Sequence, residues 1–381
     1  MSQIILKRYP LAELKAGMIV GKTIHDHFER ELITKGTILT KQIIDALATY
    51  FVSFVTIAEA LPEDSGKPIE NIKFSTPKIK VAATLDAYVI DQDFVESYYV
   101  VFDALKQLFS ISRYTGNINQ HLLAQLVNHH FFKLSDGFKA ITHLHNLSRD
   151  GYYLLHHSIN VAILSGVLGR WLHLPKQELH NLIIAGLLHD IGKTQIDKEL
   201  LNKPGKLTPI EFKEVKQHSK KGFDILQHTK LFENKDILLG VLQHHERLDG
   251  SGYPLGVTAD KIHKFAKIIS IADIYDAMAS NKVYAGKKNP FDIFTELSNE
   301  MTNKLDTHYC VLFIKNVCHA MIGNWAKLSN GMKVKIIYID ETRISSLPIV
   351  QSNTGDFIDL NKENDITIVE LLSATDNETL N

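Results

Sequence analysis

The sequence predicts a multidomain, mainly α-helical protein, with a small α+β module ahead of a long helical body and a short β appendage behind it. Three observations carry this. At 381 residues the chain is too long for one ordinary domain. The apolar period is helical from about Gln92 onward and β-like near both ends. Between the module and the body, Leu61 to Lys80 is rich in Pro, Ser, Gly and charge and reads as a linker. The expected boundaries are 1–60 for the module, 61–80 for the linker, 81–136 for a helical connector, 137–325 for an all-helical centre, 326–373 for the β appendage and 374–381 for a disordered tail.

Composition narrows the class. A 45% apolar share is enough for true cores, and no apolar run approaches a bilayer span. The start, MSQIILKRYP, lacks the apolar core of a signal peptide. Two cysteines, Cys310 and Cys318, make no disulfide framework, so a reduced cytoplasm is expected. The net charge of −1 implies no whole-chain attraction to DNA or to a membrane surface. The oddity is 19 histidines, which matter only where several converge.

In the module, β-leaning runs at Met18-Ile19-Val20 and Phe51 to Ile57 flank a helix from Thr40 to Tyr50, with Thr40 as its cap. After the linker, Phe94, Tyr98, Val101, Leu105 and Leu108 share one helical face. Helices follow at Asn119 to Phe132, Gly137 to Leu147 and Tyr152 to Leu172. The last carries His157 on or beside its buried face. The apolar helix through Leu179 to Gly186 delivers His189-Asp190 and stops near Gly192. Thr208-Pro209 opens a helix holding His218, in a stretch with seven lysines that also suits a solvated face. The run Ile237 to Leu242 is a helix that brings His244-His245 to its end, where Gly250, Gly252 and Pro254 turn the chain into a loop. Phe265 to Ala279 is an apolar helix with Asp273 and Asp276 on one face. Strands are expected at Lys333 to Ile339, Pro348 to Gln351 and Ile366 to Leu371.

An isolated His-His pair is ordinarily a core histidine beside a surface one. Here a buried His157 needs a partner, and a carboxylate at Asp190 or Asp273 amid isoleucines is costly to bury unpaired. Collected, the candidates are His157, His189, Asp190, His218, His244, His245 and Asp273. Imidazoles and carboxylates without thiolates suit iron, manganese or zinc. Seven ligands exceed the need of one ion that keeps open positions, and they suit two ions with Asp190 as a bridge. Such a pair holds a bridging hydroxide that attacks phosphorus, the chemistry of phosphodiester hydrolysis. Lys193 then meets a phosphate oxygen, with Arg247, Asp249 and Tyr253 at the mouth.

His189-Asp190 followed by Gly192-Lys193, together with His244-His245-Glu246-Arg247-Leu248-Asp249-Gly250-Ser251-Gly252-Tyr253-Pro254, resembles the HD-GYP family of phosphodiesterases. The match runs from roughly Leu147 to Gly323 and includes Asn202 to Thr208. The resemblance implies an all-helical HD-type catalytic domain, two or three divalent ions (iron or manganese), and hydrolysis of cyclic di-GMP to pGpG and onward to GMP. It implies the same seven metal ligands, Lys193 as a catalytic and substrate-binding cation, and substrate contacts from Arg247, Asp249, Gly250, Gly252, Tyr253, Pro254 and Lys282. Asp276 is expected to orient a ligand. Diguanylate cyclases and a second copy of the chain are candidate partners. Three departures qualify the carry-over. Tyr153 stands where three-metal members place a glutamate, which favours two ions. Lys282 and Ala285 stand where the family has arginines or lysines, leaving open cyclic GMP-AMP as a substrate and a rival reading as a cyclic dinucleotide sensor. A hydrolase of ordinary mononucleotides is the remaining rival.

Overall fold

The computed structural model describes residues 4–10, 14–25, 31–41, 43–44, 54–60, 91–146, 152–229, 233–279, 290–340, 343, 346–363 and 365–372. By contacts the chain divides into two units, Met1–Val81 and Ala82–Asn381. The linker at 61–80, the tail and Lys282 lie outside the described residues.

In the first unit, β1 (Ile4–Pro10) pairs antiparallel with β5 (Phe54–Ala60), which also pairs with β2 (Ile19–Val20). A separate ribbon joins β3 (Ile24–His25) to β4 (Glu31–Ile33). Val20, Leu39, Ile43, Val55 and Ile57 form the core, the alternate inward side chains of the strands meeting the helix that Thr40 opens. Thr40 Oγ1 accepts the Ile43 N–H at 3.2 Å, a helix cap as its position predicts.

The second unit is helical for most of its length. The helix α1 (Gln92–Thr115) starts on an Asp91 cap and ends where Gly116 adopts a left-handed turn. Its face of Phe94, Tyr98, Val101, Leu105 and Leu108 is buried. The next helix is not the single element the periodicity predicts. α2 (Gln120–Leu126) passes into a π-helical turn, Val127–Phe131, and a last α-turn, Phe132–Leu134. After α3 (Gly137–Asn146), α4 (Tyr153–Trp171) is buried from Leu155 through Gly169, as expected of a helix apolar on nearly all sides.

α4 packs against α5 (Lys176–Leu188) and α10 (Lys264–Ala279), and α5 against α9 (Lys235–Gln243). A 3-10 turn, Ile191–Gln195, and the short α6 (Lys198–Leu201) follow α5. The helix expected from Thr208 through His218 is two helices. α7 (Pro209–Lys216) has a full capping box on Thr208 and Glu211, and α8 (His218–Gln227) begins at the histidine itself. The Gln217 N–H turns back to Glu214, tightening the turn and re-aiming the chain between them. α11 (Pro290–Glu300) and α12 (Thr307–Met321) complete the body.

Five antiparallel strands end the chain: β6 (Trp325–Leu328), β7 (Lys333–Tyr338), β8 (Ile349–Ser352), β9 (Phe357–Asp359) and β10 (Ile368–Leu371), in the order β10-β6-β7-β8-β9. Two of these, β6 and β9, lie outside the strands the sequence predicts. β9 is an edge strand of three residues whose Phe357 is exposed, too short to show alternation. Among the described residues no helix is long and apolar enough to cross a membrane.

Candidate metal centre

Helix ends deliver the histidines. α5 stops at Leu188 and His189 caps it, its Nδ1 donating to the Gly186 carbonyl at 2.7 Å. α9 stops at Gln243 and His244 caps it, Nδ1 donating to the Val241 carbonyl at 2.7 Å. His218 opens α8 with Nδ1 donating to the Val215 carbonyl at 2.7 Å. A carbonyl only accepts, so each of these Nδ1 atoms carries a proton, and in the neutral ring the lone pair falls on Nε2. His157, in the body of α4, is tied differently: Nδ1 lies 2.8 Å from Asp276 Oδ2.

The free ring nitrogens converge. His218 Nε2 lies 3.2 Å from His244 Nε2 and 3.3 Å from Asp190 Oδ1. His189 Nε2 and His157 Nε2 lie 3.4 and 3.7 Å from Asp190 Oδ2. His157 Nε2 is also 3.0 Å from Asp273 Oδ1, and His245 Nδ1 is 3.7 Å from Asp273 Oδ2. Two sets result, His157/His189/Asp190 and His218/His244/His245, each with donor atoms within 4.8 Å of one another. Asp190 stands between them and Asp273 closes the other side.

The donors fit divalent cations. With both Nδ1 atoms protonated, the Nε2 atoms of His218 and His244 face each other lone pair to lone pair at 3.2 Å. Burial holds His218 down to about 4 and His244 well below the usual imidazole range, so no ring proton relieves the contact near neutrality. His189 Nε2 and Asp190 Oδ1 are buried with no aligned hydrogen-bond partner. Two opposed lone pairs beside two orphaned buried acceptors are costly without positive charge between them.

Lys193 Nζ lies 2.6 Å from Asp190 Oδ2. Burial opposes the Asp190 charge, but Lys193 and the neighbouring histidines outweigh it and hold the carboxyl well below its usual range. Tyr253 packs its ring 4.6 Å from that of His245, with Lys216 Nζ 5.0 Å from its centroid. Burial and the carboxylates of Asp273 and Asp190 push its phenol far above the usual value, so it stays neutral. Gly252 sits where a Cβ would lie 2.4 Å from Arg247 N and Glu246 Cα, so this crossing of the loop admits no side chain. Gly250 takes φ +78°, and Pro254 follows Tyr253 in the wall. The two charged loop residues expected at the mouth serve the loop itself. Arg247 donates to the carbonyls of Glu246 and His244, and Asp249 accepts from Ser251 N and Oγ. Where the resemblance raised a third ion, the Tyr153 ring stacks on His157 at 5.4 Å.

Residues 126–308 match the family described as HD domain. The chain is 34% identical over 193 residues to "Cyclic di-GMP phosphodiesterase PA4108" of Pseudomonas aeruginosa, a match that covers 50% of this chain and 46% of that one. It is 32% identical to "3'3'-cGAMP-specific phosphodiesterase 3" of Vibrio cholerae, over 47% of this chain and 38% of the relative. A "Cyclic di-GMP phosphodiesterase" of Thermotoga maritima is 40% identical over 38% of this chain and 39% of its own. The chain thus spans less than half the length of these relatives. A solved structure, "Bd1817, a HDG"Y"P protein from Bdellovibrio bacteriovorus", shares the fold with TM-score 0.50 at 13% identity, over 81% of this chain and 98% of that one.

Two residues of the matched stretch carry more than the motif revealed. Glu246 is buried and accepts the backbone N–H groups of Leu255, Gly256 and Val257 at 2.6, 3.2 and 3.1 Å. Its signal was an acid inside a glycine-rich turn, which offers several N–H groups and few acceptors. Glu246→Ala is expected to cost about 2–4 kcal/mol, since three donors lose a charged acceptor; urea unfolding checks it, and an unchanged midpoint counts against the role. Asn160 is the other, donating to Asp276 Oδ1 at 2.8 Å from one helical turn past His157.

His157 also predicts a pH effect. Burial opposes its charge, yet the hydrogen bonds to Asp273 and Asp276 overcome this and raise its pKa to about 9. A raised pKa stabilises the metal-free fold below the unfolded value of 6.5, and that contribution is lost as pH rises through about 9. An ion at Nε2 must displace the proton there. Mn²⁺ affinity is therefore expected to rise by about tenfold per unit between pH 7 and 8, with one proton released. Titration calorimetry in buffers of different ionisation enthalpy reads this directly; a pH-independent affinity refutes it.

Proposed function

We propose that the chain is a metal-dependent phosphodiesterase acting on a cyclic dinucleotide, cyclic di-GMP or 3'3'-cGAMP, and releasing the linear dinucleotide (pGpG from cyclic di-GMP) and then GMP. The observation that carries this is the pair of opposed, unprotonated Nε2 atoms of His218 and His244 beside buried Asp190. The names of the curated relatives supply the substrate class.

His157, His189, Asp190, His218, His244, His245 and Asp273 would hold two divalent ions, iron or manganese. Bound there, such ions neutralise charge on a phosphoryl oxygen and acidify water. The protein's own groups do the rest. Lys193 is seated on Asp190 and partly exposed, with 21% of its side chain open, so it can pass from the carboxylate to a phosphate oxygen. The neutral Tyr253 ring walls the site and offers a face to a nucleobase. Asp276 fixes the His157 ring, and Glu246 keeps the loop folded beside it. Lys282, outside the described residues, would add a further phosphate contact. Cys310 and Cys318 are free and buried, in keeping with a reduced cytoplasmic setting, and partners of the diguanylate cyclase kind or a second copy fit this role.

The test is turnover by protein prepared without oxygen and loaded with Mn²⁺ or Fe²⁺, offered cyclic di-GMP, 3'3'-cGAMP and ordinary nucleoside monophosphates side by side. Linear dinucleotide is expected from at least one cyclic substrate and nothing from the monophosphates. Tight binding of a cyclic dinucleotide without turnover would establish the sensor reading instead.

A further inference from the structure

Tyr98 lies on α1, outside the stretch matched to the HD domain, and its side chain is fully buried. Its hydroxyl donates to Asn160 Oδ1 at 2.9 Å and sits 3.0 Å from His156 Nδ1. Asn160 Nδ2 donates to Asp276 Oδ1 at 2.8 Å, and Asp276 Oδ2 lies 2.8 Å from His157 Nδ1. The sense of each bond follows from its neighbours. A carboxylate only accepts, so Asn160 turns its NH₂ to Asp276 and its carbonyl to Tyr98. The Tyr98 hydroxyl therefore donates to Asn160 and accepts from His156. All links from His156 to Asp276 run one way, an arrangement in which each bond polarises the next.

We propose that Tyr98 is a positioning residue for the metal centre: through Asn160 and Asp276, α1 fixes the orientation and tautomer of the His157 imidazole. A buried tyrosine needs only some partner for its hydroxyl. Here the partner is the amide that holds the carboxylate that holds a ligand. A second contact supports α1 as the element in control. Near its other end Arg113 donates to the Ile196 carbonyl at 3.2 Å, and Gln195 Nε2 donates to the Ser112 carbonyl at 3.1 Å. Those residues belong to the turn that carries Lys193 and follows Asp190. One helix thus grips both ligand-bearing segments, at points about 22 Å apart along its axis. A shift of α1 reaches His157 and the Asp190 turn together.

This rests on the metal-centre reading, and the experiment separates the two. Mn²⁺ is titrated calorimetrically into the full chain, into Tyr98→Phe, into Asp276→Asn and into the double variant. Tyr98→Phe keeps the ring and removes the hydroxyl, and it is expected to weaken Mn²⁺ binding by about tenfold, the low end for a partner of a ligand. In the Asp276→Asn background the same change is expected to add less than about twofold, because its route is already cut. Leu105→Ala, which removes buried apolar volume from α1 outside the relay, is expected to lower the melting temperature and leave Mn²⁺ affinity in place. If Tyr98→Phe does not fold, Asn160→Ser cuts the relay one link on and is read the same way. A Tyr98→Phe affinity equal to that of the parent overturns the proposal, as does a full tenfold loss that persists beside Asp276→Asn. A parent protein that takes up no Mn²⁺ overturns the metal-centre reading and this proposal with it.

Discussion

The double variant His189→Ala/Asp190→Ala is expected to lose hydrolysis of cyclic dinucleotides altogether while remaining a folded helical protein. Asp190 lies within 3.3 to 3.7 Å of His218, His189 and His157, so it touches members of both ligand sets. Stabilisation of developing phosphoryl charge by bound cations is worth several kcal/mol. At 1.36 kcal/mol per decade its loss corresponds to a rate loss of about a thousandfold or more. The fold should tolerate the change. Without ions the cluster is a set of buried polar groups held together at a desolvation cost, and replacing such groups by apolar ones is often neutral or stabilising. Lys193, left without its partner, has 21% of its side chain open and can turn to water. The metal-free melting temperature should therefore hold or rise, whereas the increase that Mn²⁺ gives the parent should vanish. Circular dichroism, metal analysis and product chromatography together read the outcome. Turnover that survives in the purified variant would refute the mechanism.

The second large effect falls on a residue with no side chain. A Cβ at Gly192 would stand 1.9 Å from the His218 carbonyl oxygen and 2.5 Å from Gly222 N, both backbone atoms at the start of α8. No rotamer change relieves such a clash, so the helix must move away from the turn after Asp190. Gly192→Ala is expected to destabilise the protein by about 3 kcal/mol or more, at or above the usual upper end for overpacked sites because both clashes are with backbone. Because His218 is the first residue of α8, it is expected to leave the cluster and the protein to bind fewer ions. Urea unfolding and metal stoichiometry check the two halves separately. Parent-like values in both would show that α8 yields without consequence.

Much of the helical body was legible because its signals are long. α1, α4 and α10 each bury a repeating apolar face over sixteen or more residues, and Thr208-Pro209 marks the start of α7. The seven candidate ligands were legible because polar groups in apolar helices demand a partner, and the structure places all seven around one spot. What escaped notice depends on three-dimensional context. The break at Gln217 is made by a single tightened turn, and the π-turn at Val127–Phe131 by one extra residue per turn, and neither leaves a mark in the apolar period. Arg247 and Asp249 look like substrate contacts in a motif, yet their nearest partners are the loop's own carbonyls and Ser251. Tyr98 is an ordinary core position on its helix face. Its link to His157 passes through residues some sixty and then over a hundred positions away.

The two helices that present His189 and His244 at their carboxyl ends have an electrostatic consequence. Each such end carries roughly half a unit of negative charge. Added to Asp190, Asp273 and Asp276, this leaves the metal-free cluster anionic even with Lys193 and a protonated His157 counted against it. A phosphodiester approaching the stripped protein meets repulsion where the loaded protein offers attraction. Chelation is therefore expected to abolish capture of the dinucleotide, and not merely its cleavage, so that the cation acts as the gatekeeper of recognition.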